Sequence, residues 1–250
     1  KFIAKRNVKF LNPKKVLKID SDQIIFFKKN NEIIASGETN IFLQSKYNFQ
    51  SNNIIYLGNQ MKLYSNSRSK LFDNNDSFYS FDNFEYDIEK QFLKAQNINL
   101  IENFNSKIEE KNKYNFANGF FDLKNKEFYT GDSKIYLKKN IFDKKENDPR
   151  IFGVSSSHKN NITKINKAVF TSCKINDKCP PWRLESSKII HDNNKKQILY
   201  ENTVLKVYDY PVFYFPKFFH PDPSVDRQSG LLKPQLNYSS ILGSSVTLPY

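Results

Sequence analysis

Ser36-Gly37-Glu38-Thr39-Asn40-Ile41-Phe42-Leu43 returns further along the chain as Thr130-Gly131-Asp132-Ser133-Lys134-Ile135-Tyr136-Leu137. Every position is identical or similar in kind except Asn40 and Lys134, and both of those are polar. A third copy lies sixty positions after the first, without gaps: Ile24, Phe26, Ile33, Ala35, Gly37 and Ile41 match Phe84, Tyr86, Leu93, Ala95, Asn97 and Ile101. A looser copy runs from Lys188 to Val207. Each unit reads as an alternating apolar run, a charged turn such as Lys28-Lys29-Asn30-Asn31 or Lys124-Asn125-Lys126, and a second alternating run. Side chains alternate across a strand with period two, so Ile33, Ala35, Gly37, Thr39, Ile41 and Leu43 are expected on one face. No segment sustains a capped 3.6-residue period, which argues against helix. Hairpin-like units that cannot bury their faces alone must stack, which predicts an all-β protein of stacked repeats, either a solenoid or an elongated sandwich.

Composition agrees with strands. The chain has 23 Phe and 14 Tyr but only 7 Gly and 1 Met, and aromatic and β-branched residues fit a pleated, half-buried surface. Its net charge of +13 is mostly lysine interleaved with acids. No nucleic-acid-binding motif accompanies that charge, so no nucleic-acid partner is expected. The acid-free basic tract lies in the first eighteen residues, from Lys1 to Lys18. No run of eighteen apolar residues encodes a transmembrane helix.

Chemistry is sparse. His191-Asp192 lies near Ser186 and Ser187, so a Ser/His/Asp set can be written down, but no nucleophile-elbow pattern supports it. Five residues separate Cys173 from Cys179, wider than the usual zinc spacing, and no H-x₃₋₅-H partner follows. The glycines are spread singly, so no phosphate-cradling loop is present. The chain reads as a non-enzyme with no catalytic residues, no metal and no cofactor.

The C-terminal stretch from Pro211 to Tyr250 is punctuated by proline and rich in aromatics. Proline removes a backbone donor and fixes φ, so this stretch is not expected to build an ordinary core. From Leu231 onward an alternating pattern resumes, as in a strand awaiting a neighbour.

Phe170-Thr171-Ser172-Cys173, Trp182, Lys188-Ile189-Ile190-His191-Asp192, Asn202, Lys206-Val207 and Pro211-Val212-Phe213-Tyr214-Phe215-Pro216 occur in an order and spacing that resemble the lipopolysaccharide-assembly LptD (OstA) family of Gram-negative outer membranes. The likeness continues through Asp226-Arg227-Gln228-Ser229-Gly230-Leu231-Leu232-Lys233-Pro234 to Leu248-Pro249-Tyr250. The resemblance implies an N-terminal segment over 1–20, an OstA-type periplasmic β-jellyroll over 21–210 and a junction over 211–230. From 231 to 250 it implies the first strand of an outer-membrane β-barrel that this sequence does not complete. It further implies lipopolysaccharide transport and insertion into the outer membrane, with an LptE-type lipoprotein plug and an LptA-type bridge protein as partners. The bridge would join by β-strand addition, and the region would be mainly periplasmic.

Under that resemblance Ile33, Ala35, Ile41, Leu93, Ala95, Ile101, Ile135 and Leu137 are candidates to line a groove for lipid A acyl chains. Plain core packing is the equal alternative for each. Pro234 and Pro249 match the family's pair at the lateral seam of the barrel. Pro211, Tyr214, Pro216, Arg227, Ser229 and Gly230 form the junction motif. Cys173 matches a family cysteine that forms a disulfide with the far end of the barrel, and a local Cys173–Cys179 bridge is the alternative. A structural or adhesive β-solenoid that binds polysaccharide or a partner protein is the competing function.

Overall fold

The fold is taken from a computed structural model that describes residues 1–12, 17–44, 46–74, 76–105, 111–138, 148–176, 181–221, 235–239 and 243–247, the last two spans as backbone only. The protein is all-β. In chain order the first strands are β1 (Phe2–Asn12), β2 (Leu17–Phe27), β3 (Glu32–Leu43), β4 (Tyr47–Leu57), β5 (Lys62–Ser65) and β6 (Ser69–Asp73). β7 (Phe78–Phe81), β8 (Asn83–Asp87), β9 (Phe92–Ile101), β10 (Lys113–Asp122), β11 (Glu127–Tyr136) and β12 (Arg150–Lys159) follow. The last are β13 (Ile162–Thr171), β14 (Trp182–Asp192), β15 (Gln197–Val207), β16 (Tyr210–Pro221), β17 (Gln235–Ser239) and β18 (Gly243–Thr247). They fall into two compact units: Lys1–Lys138 with Ser155–Ser157, and Lys139–Val154 with His158–Tyr250.

In the first unit β1, β2, β3 and β4 pair in sequence, all antiparallel. β4 then serves two layers. Its second half pairs β5, which pairs β8, which pairs the first half of β9. Its first half pairs β6, which pairs β7, which pairs the end of β9. β9, β10 and β11 close the series. The two layers face each other across aromatic rings: Phe49 lies 5.1 Å from Phe84, Phe81 lies 5.2 Å from Phe84, and Tyr47 lies 6.0 Å from Tyr86. Such pairs contribute about 0.5–1.5 kcal/mol each beyond their buried area, so they fix the layers' register as well as bury them. This two-layered packing is consistent with the stacked, sandwich-like architecture expected from the repeats and with the jellyroll that the resemblance implied.

The layers are joined because each long strand bends in its middle. On β2 the buried residues are Leu17, Ile19 and Ser21, then Ile24; on β4 they are Tyr47, Phe49 and Ser51, then Ile54 and Tyr56. On β9 they are Leu93 and Ala95, then Ile98 and Leu100. One extra residue at the bend shifts the alternation, which is what a β-bulge does. Gly37 (φ 85°), Asn97 (φ 50°), Asp132 (φ 47°), Lys167 (φ 47°) and Asn202 (φ 47°) take left-handed conformations there on β3, β9, β11, β13 and β15. Gly37 also needs its missing Cβ, which would sit 2.4 Å from Asp22 Oδ2.

The hydroxyls beside these bends are buried and bond one another. Ser21 Oγ lies 2.8 Å from Thr39 Oγ1, and Ser69 Oγ donates to Ser51 Oγ at 2.9 Å. Ser156 Oγ lies 2.5 Å from Thr130 Oγ1 and 2.7 Å from Ser133 Oγ. In the second unit Ser186 Oγ lies 2.8 Å from Thr203 Oγ1. A hydroxyl can both donate and accept, so mutual bonding satisfies groups that would otherwise carry a desolvation cost. The repeated Ser/Thr-Gly-Glu/Asp-Ser/Thr sequence is therefore the signature of the bend.

The hairpin turns are tied together too. Gly58 N donates to Asn31 O at 2.8 Å, Ile88 N to Met61 O at 2.9 Å, and Leu123 N to Gln91 O at 3.0 Å. Asn31, Met61 and Gln91, thirty residues apart, all have positive φ. In the second unit β12 to β16 pair in order, with Ile165, Ala168, Phe170, Ile189 and Tyr200 buried, and β17 and β18 pair antiparallel.

Candidate functional site

The interior between the two layers of the first unit is the candidate site. Strand alternation brings Ile33, Ala35 and Ile41 of β3, Leu93 and Ala95 of β9, and Ile135 of β11 to the buried face, none more than 4 % exposed. Leu137 is half-buried just past the end of β11. Ile101 is half-buried and lies on the other face of β9, paired with Phe78, because Leu100 takes the inward position. The cause is the length of the bend. Three residues separate inward Ala35 from Thr39 on β3, whereas two separate Ala95 from Ile98 on β9. Leu100, not Ile101, is thus the spatial counterpart of Ile41.

Among the described residues the interior of this unit holds no buried charged side chain, and its polar atoms are the mutually bonded Ser and Thr hydroxyls at the bends and tyrosine hydroxyls. Tyr47 donates to Gln91 Oε1 at 3.3 Å, and Tyr114 donates to Glu102 Oε2 at 2.7 Å. Burial pushes the phenols of Tyr47, Tyr56, Tyr79, Tyr86 and Tyr114 above their ordinary value, since the phenolate would lose its hydration. They therefore stay neutral across the physiological range. An uncharged space lined by aliphatic and aromatic groups can accept hydrocarbon and nothing strongly polar.

The other predicted positions lie in the second unit or beyond the described residues. Cys173 is a half-buried free thiol whose Sγ lies 3.6 Å from Trp182 O. Its loop is fixed by buried Arg150, which donates to the carbonyls of Asp148 and Cys173, and by Thr171, which donates to Trp182 O at 2.7 Å. Cys179 is outside the described residues. So are Pro234 and Pro249, and Arg227, Ser229 and Gly230 of the junction motif. Pro211, Tyr214 and Pro216 lie on β16, with Tyr214 Oη donating to Asn202 Oδ1 at 3.1 Å. Ser186, as noted, bonds Thr203, and Asp192 Oδ1 accepts from the turn amides of Asn194 and Lys195. Among the described residues no three His, Cys, Asp or Glu side chains cluster as metal ligands.

Sequence reasoning missed the bend and its hydroxyls. The signal was the Ser and Thr flanking Gly37 and Gly131, which read as ordinary alternating positions until the strand was seen to turn there. It also missed the division of β5 to β8 into two layers, because these strands are too short for their alternation to show a face.

No family model matches the chain. Curated proteins do. Over 86 residues the chain is 34% identical to "LPS-assembly protein LptD" of Legionella pneumophila (strain Paris), which covers 34% of this chain and 10% of that protein. The protein of that name from Polaromonas sp. is 34% identical over 87 residues, with the same shares. The one from Aeromonas hydrophila is 38% identical over 78 residues, 29% of this chain and 9% of its own length. The matched stretch thus spans about a tenth of these relatives.

Proposed function

We propose that the chain, which is similar to LPS-assembly protein LptD of several genera, belongs to that family and takes part in lipopolysaccharide transport to the outer membrane. The first unit receives the acyl chains of lipid A between its two layers. The observation that supports this most directly is the uncharged interior lined by Ile33, Ala35, Ile41, Leu93, Ala95 and Ile135. Each methylene moved there from water contributes about 0.8 kcal/mol, so a chain of ordinary length repays the parting of some side-chain contacts. The interior is close-packed as it stands, with Ile41 and Leu93 fully buried, so acyl chains enter as the layers separate along their rim and the bends act as the hinge.

In this reading the region is periplasmic and the complete protein sits in the outer membrane with an LptE-type lipoprotein plug. An LptA-type bridge adds a strand to β1, the edge strand, whose one described partner is β2. Pro234 and Pro249 weaken the seam of the barrel by withholding ladder donors.

A photo-crosslinking residue placed at Ile41 in the full-length protein tests the groove. It is expected to capture lipopolysaccharide, whereas the same residue at neighbouring Phe42, which points outward and is 37% exposed, is not. Capture at neither position, or equally at both, overturns the reading.

A further inference from the structure

The outer face of the first unit carries a second ordered surface. The strand register sets Tyr64 of β5 opposite Glu85 of β8, Glu85 opposite Lys94 of β9, Lys94 opposite Phe120 of β10, and Phe120 opposite Tyr129 of β11. Neighbouring strands lie about 4.8 Å apart, so this cross-strand row extends roughly 19 Å, with aromatic rings at both ends. Lys94 Nζ sits 5.6 Å from the centroid of Phe120, whose ring lies 6.2 Å from Phe92. Beside the row runs a line of amides, Asn83 opposite Gln96 and Gln96 opposite Asn118, in which Asn83 Nδ2 donates to Gln96 Oε1 at 2.9 Å. Where β5, β8 and β9 meet, the surface sinks into a depression of about 500 Å³ lined by Tyr64, Asn83, Glu85, Lys94 and Gln96.

We propose that this row binds a linear polysaccharide, the glycan strand of the cell wall. The site is separate from the lipid interior. The choice of the cell-wall glycan rests on the periplasmic placement proposed above. A sugar ring has a face of C–H bonds that carry slight positive charge, and these are drawn to the negative face of an aromatic ring. Its rim of hydroxyls must both donate and accept, and the amides of Asn83, Gln96 and Asn118 offer both functions side by side. Lys62 and Lys94 are balanced by Glu85 and Asp87 across the same strands, which disfavours a polyanion such as nucleic acid. A protein partner would want a continuous apolar centre, and here an ion pair and amides separate the rings. Rings spread along the row fit a chain of sugars rather than a single one.

Co-sedimentation of the full chain with purified peptidoglycan sacculi tests this without any lipopolysaccharide, so its outcome is independent of the transport reading. The chain is expected in the pellet, and Tyr64→Ala combined with Phe120→Ala, which removes two ring contacts, is expected to weaken binding at least about tenfold. Phe42→Ala, which removes an exposed ring elsewhere on the outer face, is expected to leave binding unchanged. Should the double variant melt early, Tyr129→Ala, at a position 59% exposed, carries the same test with a smaller loss. Failure of the wild type to pellet, or full retention by these variants, overturns the proposal. So does displacement by deacylated lipopolysaccharide but not by soluble glycan-strand fragments.

Discussion

The two units are built from the same kind of bent strand, yet they bury very different amounts. Among the described residues, twenty-six apolar side chains are buried in the first unit and six in the second. In the first, Phe49, Phe84, Tyr86 and Phe81 interlock between layers. In the second, Tyr200 is the one large fully buried aromatic, stacked 4.5 Å from Phe218 with its hydroxyl 3.0 Å from His220 Nε2. Its neighbour β16 leaves Tyr210, Val212, Phe213 and Tyr214 all more than half exposed. A shared strand pattern therefore specifies the bend, while the depth of the core depends on whether opposing layers supply large rings. The second unit compensates in part with an ion-pair network on β14 and β15, in which Glu185 lies 2.8 Å from both Arg183 Nε and Lys206 Nζ. Lys206 and Arg183, with burial opposing them, hold the Glu185 carboxyl below its ordinary value. Partly exposed pairs of this kind contribute about 0–1 kcal/mol each, too little to replace an aromatic core.

This contrast can be broken most directly by truncating one ring in each unit. Phe49→Ala, which loses contacts to Phe84 and Tyr86, is expected to destabilise the first unit by about 3–5 kcal/mol. Phe170→Ala, 7% exposed and packed edge-on against Trp182, is expected to fall at or below the low end of that range. Denaturant midpoints followed by signals local to each unit give the comparison, and equal losses would show that the second core is deeper than its burial suggests.

Alkaline unfolding sharpens it next. The phenols of Tyr79 and Tyr86 in the first unit are raised by burial, as is that of Tyr200 in the second. Unfolded tyrosine ionises near pH 10 whereas the folded groups hold their protons, so the unfolded state binds fewer protons above that pH. Stability present below pH 10 is then lost as pH rises toward the folded values, by about 1.4 kcal/mol per pH unit for each buried phenol. The first unit, with more buried tyrosines, is expected to show the steeper decline in a pH-jump unfolding series. Equal slopes would contradict the burial pattern.

The smallest effect separates the two copies of the repeat. Gly37→Ala places a Cβ 2.4 Å from Asp22 Oδ2 at φ 85°, and is expected to cost about 1–3 kcal/mol. Gly131→Ala meets Asn118 Oδ1 at 3.1 Å without that backbone conformation, which Asp132 adopts instead, and is expected to cost less. Thermal melts of the two variants would show whether the left-handed residue has moved by one position between copies.

The strands themselves were legible in the sequence because alternation is a local property: each half-strand carries its own apolar face, and each turn its own Asn, Lys or Gly. Ile33, Ala35 and Ile41 could be placed on one face by counting in twos. Ile101 could not, because a single extra residue at Asn97 inverts every position after it, and Ala95-Gln96-Asn97-Ile98 lacks the Ser/Thr-Gly pair that accompanies the bend on β3 and β11. Only the tertiary structure decided that Phe49 meets Phe84, that β5 with β8 and β6 with β7 form opposite layers, and that Ser21 bonds Thr39 while Ser156 bonds Thr130. Those contacts join residues distant in the chain, and their partners are fixed by how far each strand bends rather than by the residues on either side. Sequence thus determined which residues turn inward along most of each strand, and the folding of one layer onto the other determined what they touch.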